Sequence, residues 1–202
     1  MTQAFFEDTF YLQRMLKFAG YDCGKIDGIR GNKTNKAIEQ WLLDADKYKR
    51  QFGALDTRSE GNLSSLLPHV QGYIRKWFNE HLHAFMAKHN VIVKVISGTR
   101  TISEQNKLYA QGRTTKGSKV TNAKGGYSMH NFGIAFDIGI FNKDGSYITS
   151  DDVYKLLVAE CGTPQNMLNG GAWQTFQDYP HYELAEYGSK SANVRKVWNK
   201  LK

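Results

Sequence analysis

The chain has 202 residues, 41% apolar, 13% aromatic and 23% charged, with three prolines, which excludes collagen-like, low-complexity and disordered classes and leaves room for one large or two modest domains. Its formal charge of +8 favours polyanionic surroundings (nucleic acid, an anionic membrane or cell wall) without choosing among them. Residues 1–68 hold 10 basic and 9 acidic side chains and residues 69–202 hold 17 and 10, so the excess sits in the second part.

The opening stretch Met1–Asp8 lacks a basic segment and a sustained apolar run, so no signal peptide is expected, and no stretch approaches the roughly 20 apolar residues of a membrane span. Cys23 and Cys161 lie far apart without a second Cys nearby, which predicts two independent thiols. Phe5, Phe6, Leu12 and Leu16 give a helical rhythm that stops at Gly20. A loop with glycines at 20, 24, 28 and 31 follows, then a helix over 32–46 and a short one over 59–67. The charge asymmetry and Pro68 suggest a boundary, dividing the chain into 1–67 and 68–202.

The second part opens on an amphipathic helix, with Val70, Ile74, Trp77, His81 and Phe85 on its apolar face. Residues 91–96 are β-branched and predict a strand. A helix over 103–111 with Ser103 as N-cap is next, followed by a polar loop to Tyr127 carrying Arg113, Lys116, Lys119 and Lys124. A strand over 133–141, a helix over 151–161, strands over 172–176 and 181–184, and a basic helix over 193–201 complete the chain. Helices mixed with short non-adjacent strands indicate an α+β fold.

Four of the six histidines, His69, His81, His83 and His89, need no chemistry to explain them. His130 precedes Gly133, which permits a turn into a strand, and on that strand Asp137 shares a face with Ala135 and Gly139, opposite Phe136 and Ile138. Pro180 biases its neighbourhood to extended backbone, so His181 and Glu183 share a strand face, with Asp178 just before it. Two His and one carboxylate form an ordinary catalytic zinc set. The spacing equally allows hydrogen-bonded histidines in unrelated strands.

Ser128-x-His130-x-x-Gly133-x-Ala135-x-Asp137, followed by Asp178 and His181-Tyr182-Glu183, resembles the signature of the VanY-type D-Ala-D-Ala carboxypeptidase family of zinc peptidases. Ser97-Gly98-Thr99-Arg100 and Gln105-x-x-Leu108-Tyr109 match the same family. Gln111-Gly112-Arg113-Thr114 and Val120–Ala123 resemble its L-alanyl-D-glutamate endopeptidase branch, which includes phage endolysins. The resemblance implies zinc held by His130, Asp137 and His181, with Asp178 as general base and Arg100 steadying the oxyanion or a substrate carboxylate. It places Ser128 and Gln105 as substrate hydrogen-bonders or supports of the site, and Glu183 as a support. The expected fold has a central antiparallel sheet.

Leu12-Gln13-x-x-Leu16, Gly20-Tyr21, Gly24-x-Ile26-Asp27-Gly28 and Thr34 resemble the three-helix peptidoglycan-binding module. The resemblance implies a wall-binding groove near Tyr21, Asp27 and Thr34, although Asp27-Gly28 could be only a tight turn. The combined expectation is a monomeric zinc endopeptidase acting on bacterial peptidoglycan, without nucleic-acid binding or membrane insertion. It would be made in the host cytoplasm and released to the wall. A D-Ala-D-Ala carboxypeptidase and a non-catalytic wall-binding or virion protein are the alternatives.

Overall fold

The computed structural model describes residues 8–202; Phe5 and Phe6 of the expected first helix lie outside them. Helix α1 (Thr9–Phe18) starts where the Asp8 carboxylate accepts the Tyr11 N–H at 2.9 Å, and it buries Tyr11, Leu12, Met15 and Leu16. Helix α2 (Asn32–Phe52) runs a turn and a half beyond the expected end, where half-buried Tyr48 packs its ring on Gly72. Helix α3 (Thr57–Leu63) is shorter than expected and begins earlier, because Asp56 caps the N–H groups of Arg58 and Ser59.

Pro68 is not a linker residue. It opens helix α4 (Pro68–Trp77) at the position where a missing N–H costs nothing, and Leu66, Leu67 and Val70 around it are buried. The expected continuous helix contains a π turn over Phe78–Leu82 before α5 (His83–His89). The extra residue in that turn advances the apolar face. His81, expected on that face, is exposed, whereas Trp77, Phe78, Leu82 and Phe85 are each 2% exposed or less. Each contributes about 1.5–3 kcal/mol of burial.

Strand β1 (Val91–Ser97) leads to α6 (Ile102–Ala110). The N-cap of α6 is Thr101, not Ser103, in a capping box with Glu104. A 3-10 turn (Met129–Phe132), β2 (Ala135–Asn142), α7 (Asp151–Cys161), β3 (Met167–Gly170), β4 (Asp178–Leu184) and α8 (Ser191–Trp198) follow. The expected strand over 172–176 does not form, and β3 occupies its place earlier in the chain. The sheet is antiparallel throughout, in the order β1-β2-β4-β3.

One continuous core joins the first three helices to the sheet and its helices. Phe18 packs against Phe132 and Trp198 at centroid distances of 6.5 and 5.6 Å. The Arg75 guanidinium in α4 forks onto Glu60 of α3 at 2.6 and 2.8 Å and also donates to the Gly53 carbonyl at 3.1 Å. Cys23 and Cys161 are both buried free thiols, the first 3.3 Å from the Gln13 carbonyl oxygen.

Candidate metal centre

Three local structures converge at one end of the sheet. His130 sits in the 3-10 turn that ends at Gly133, whose φ of +69° suits glycine and reverses the chain into β2. The register pairs Asp137 of β2 with His181 of β4 on one side and with Ser97 of β1 on the other. His130 Nε2, His181 Nδ1 and Asp137 Oδ1 then form a triangle with sides of 3.3, 3.0 and 3.3 Å. Ligands about 2.0–2.1 Å from a tetrahedral ion lie roughly 3.3 Å apart, so these atoms have the spacing of three zinc ligands.

The outer hydrogen bonds fix both tautomers for that task. His130 Nδ1 donates to the Gly98 carbonyl at 2.7 Å, and His181 Nε2 donates to Glu183 Oε2 at 3.1 Å, so the inward nitrogens are the ones with lone pairs to give. Burial keeps the His130 imidazole below its ordinary pKa, which favours the neutral ligand form. Burial also opposes charging of His181, but the Asp137 and Glu183 carboxylates overcome it and push its pKa up to about 9. A metal entering here must displace that proton. Burial likewise raises the Asp137 carboxyl, and the two histidines more than reverse this, holding it well below the carboxylate range. With neutral histidines, Asp137, Asp178 and Glu183 against Arg100 and Lys119 leave the cleft lining with a net negative charge. That excess favours a cation, and two imidazoles with one carboxylate are donors that zinc accepts, so the donor set fits zinc.

The cleft holding the triangle has a volume of about 570 Å³, and Arg100, Ser128, Asp178 and Glu183 line it with the three ligands. Asp178 reaches it through an irregularity. It lies three residues before His181, an odd spacing that would put the two on opposite faces of a regular strand. The β3–β4 register jumps from Asn169↔Tyr182 to Gly170↔Asp178, so Tyr179–His181 bulge outward, with Pro180 in the middle having no N–H to pair. Asn169 Nδ2 holds the bulge by donating to the Tyr179 and His181 carbonyls at 2.7 and 3.0 Å. Burial raises the Asp178 carboxyl above the usual aspartate value, and Asp137 adds to this while His181 and Arg100 oppose it.

Arg100 does more than face the cleft. Its Nη2 donates to Asp137 Oδ2 at 3.2 Å, leaving Oδ1 for the histidines, and its Nη1 donates to Gln105 Oε1 at 3.0 Å. Gln105 is fully buried behind it, with its amide nitrogen bonded to Thr121 Oγ1 and the Ala123 carbonyl. Its place is therefore that of a support, not a substrate contact. Ser128 stands at the mouth of the 3-10 turn with its N–H on Asn131 Oδ1.

The three expected wall-binding residues are used internally. Thr34 is buried and donates to the Cys23 carbonyl, Asp27 Oδ1 accepts from Gln13 Nε2 and the Ile29 N–H, and Tyr21 donates to Asp44. Gln13, buried in α1, organises the whole loop, its Oε1 accepting the Asp27 and Gly28 N–H groups at 3.1 and 2.9 Å. The apolar groups exposed beside this loop are Phe10, 55% exposed, and Ile29, 69% exposed. Phe10 did not stand out in the sequence, because a single exposed apolar residue carries no periodic signal.

Residues 70–156 match the family described as VanY: D-alanyl-D-alanine carboxypeptidase. This segment is similar to a VanY-type domain. The peptidoglycan L-alanyl-D-glutamate endopeptidase CwlK of Bacillus subtilis (strain 168) is 41% identical over 112 residues, 51% of this chain and 66% of that protein. The chain thus spans just under two thirds of that relative. Among solved structures, the L-Ala D-Glu endopeptidase ChiX of Serratia marcescens aligns with a TM-score of 0.43 at 24% identity, over 65% of this chain and 89% of that one. The matched segment contains Arg100, His130 and Asp137. Asp178, His181 and Glu183 come from β4 beyond it, and the antiparallel β2–β4 pairing brings the two groups together.

Proposed function

We propose that this chain hydrolyses the L-Ala–D-Glu bond of peptidoglycan stem peptides with a zinc ion held by His130, Asp137 and His181. The triangle of inward-facing donor atoms carries the reading, and the relative at 41% identity supports the choice of bond. When bound, zinc lowers the pKa of water toward roughly 7 and polarises the scissile carbonyl. Asp178, the cleft carboxylate outside the triangle that is not bonded to a histidine ring, takes the proton of the attacking water and delivers it to the departing amide nitrogen. Arg100 presents positive charge to the oxygen that becomes anionic and holds Asp137 in its ligating orientation. Glu183 and the Gly98 carbonyl keep the histidine rings from rotating.

Digestion of purified sacculi followed by mass spectrometry, with and without a chelator, tests bond and metal together. The expected products are fragments with a new N-terminal D-Glu, absent under chelation and restored by added zinc. The VanY family description favours a second reading, a D-Ala-D-Ala carboxypeptidase. Release of free D-Ala with the stem left in place would select it. A protein that binds sacculi without releasing any peptide would be the non-catalytic alternative.

The setting belongs to the same proposal. The first three helices serve as a wall-contacting unit, presenting Phe10 and Ile29 beside the glycine loop, and the protein acts as a phage-type lysin, a monomer made in the host cytoplasm and released to the wall. Among the described residues no helix is long and apolar enough to cross a membrane.

A further inference from the structure

Two cations line the cleft, Arg100 and Lys119, and only Arg100 is committed, to Asp137 and Gln105. Lys119 is exposed and makes no hydrogen bond or ion pair among the described residues. The other basic groups of its loop are placed differently. Arg113 is turned inward, donating to the Tyr109 and Thr121 carbonyls at 2.7 and 2.9 Å and to Asn122 Oδ1 at 3.0 Å. The Lys124 ammonium lies over the Tyr109 ring, and Lys116 is outside the cleft lining.

The backbone under Lys119 is held on both sides. Gly112, at φ +71°, lies so close that a Cβ there would sit 2.6 Å from the Lys119 nitrogen. Beyond it, the buried Gln105 amide fastens Thr121 and Ala123 at 3.2 and 2.8 Å. A lysine with an unpaired ammonium, on a fastened wall of the cavity that holds the reacting groups, has the charge and the reach to meet a substrate anion. In a stem peptide D-Glu is joined to the next residue through its γ-carboxyl, so its α-carboxylate stays free beside the bond proposed for cleavage.

We propose that Lys119 is a specificity-determining residue that pairs with the free α-carboxylate of D-Glu on the leaving side of the scissile bond. The inference rests on the reading of the bond given above. In some walls that carboxylate is amidated to D-isoglutamine, and Lys119 makes the enzyme distinguish the two.

The test uses two synthetic stem peptides, one with D-Glu and one with D-isoglutamine, and the zinc-loaded full chain. Turnover of the peptides tests the bond. Calorimetric binding of the matching fragments that begin at D-Glu or D-isoglutamine, which hold no bond to cut, tests Lys119. The wild type should bind the carboxylate fragment about fivefold more tightly than the amide, with the ratio shrinking as salt is added. Lys119→Gln should bring the ratio to about one, Lys119→Arg should restore most of it, and Lys116→Gln should keep the wild-type ratio. No preference in the wild type, or a preference that survives Lys119→Gln, overturns the inference even if both peptides are cleaved. A Lys119-dependent preference without cleavage of either peptide keeps the inference for the site and overturns the assignment of the bond.

Discussion

In the proposed reaction Asp178 and Asn169 divide one task, the first doing chemistry and the second putting it in reach. Asp178→Asn should lower kcat by about 10²–10⁴ while zinc content stays at one per chain, whereas His130→Ala should lose the metal itself; kinetics with metal analysis by mass spectrometry separates the two. As the raised carboxyl of Asp178 must be ionised to accept a proton, kcat/KM should fall as pH drops through its pKa, on an acid limb above the ordinary value of 3.8; a pH–rate profile, with the limb lost in Asp178→Asn, checks it. Asn169→Leu, which frees two carbonyls of the bulge, should reduce kcat with zinc retained. The three residues of the triangle were legible in the sequence because motif spacing and strand alternation both pointed to them. Asn169 was not, since its role depends on a register jump that local sequence does not announce, and Gln105 was legible as a site residue but not as a buried one.

At the scale of elements, α1 is bound to the catalytic turn. The Tyr11 hydroxyl donates to the Asn131 carbonyl at 2.8 Å, next to His130, and Met15 packs so closely on Gly133 that a Cβ there would meet it at 2.5 Å. Gly133→Ala therefore combines a left-handed φ with a steric conflict and should destabilise the fold by about 1–3 kcal/mol, read as a lower Tm. The Glu60–Arg75 fork joins α3 to α4 in the same way. Its buried partner, the Arg75 guanidinium, together with the Leu55 N–H and Lys49, outweighs burial and lowers the Glu60 pKa from 4.5 to about 2. A lowered folded-state pKa stabilises above the unfolded value, so this contribution is complete above about pH 4.5 and is lost as pH falls toward 2. Glu60→Gln should lower stability by about 3 kcal/mol at neutral pH, because it leaves the Arg75 charge buried and unpaired; denaturant titration at pH 7 and pH 3 should show a smaller difference at the lower pH. Helix positions were readable from apolar periodicity, but their ends were set by Asp56 and Thr101 caps and by a π turn, which periodicity does not encode.

For the whole molecule, composition separated two parts by charge, and the hydrophobic core runs through both. Leu12, Met15 and Leu16 from the first part are each at most 1% exposed in a core that continues into the second part, where Met15 packs on Gly133. A chain cut to residues 68–202 would uncover that surface and should show no cooperative thermal transition, measurable by calorimetry. Composition could not reveal this, since a shared core leaves no trace in charge or in linker residues. The basic excess is likewise finer than its total: of the four loop cations, Arg113 is structural and Lys119 alone enters the cleft. The two thiols have a wider consequence. Cys23 and Cys161 are each enclosed and unpaired with one another, and no disulfide closes any loop of the chain among the described residues. Folding stability is thus decoupled from the redox potential of the surroundings, and the melting temperature should be the same in dithiothreitol and in oxidised glutathione. The same molecule can be assembled under reducing conditions and remain intact under oxidising ones, with no covalent maturation step between them.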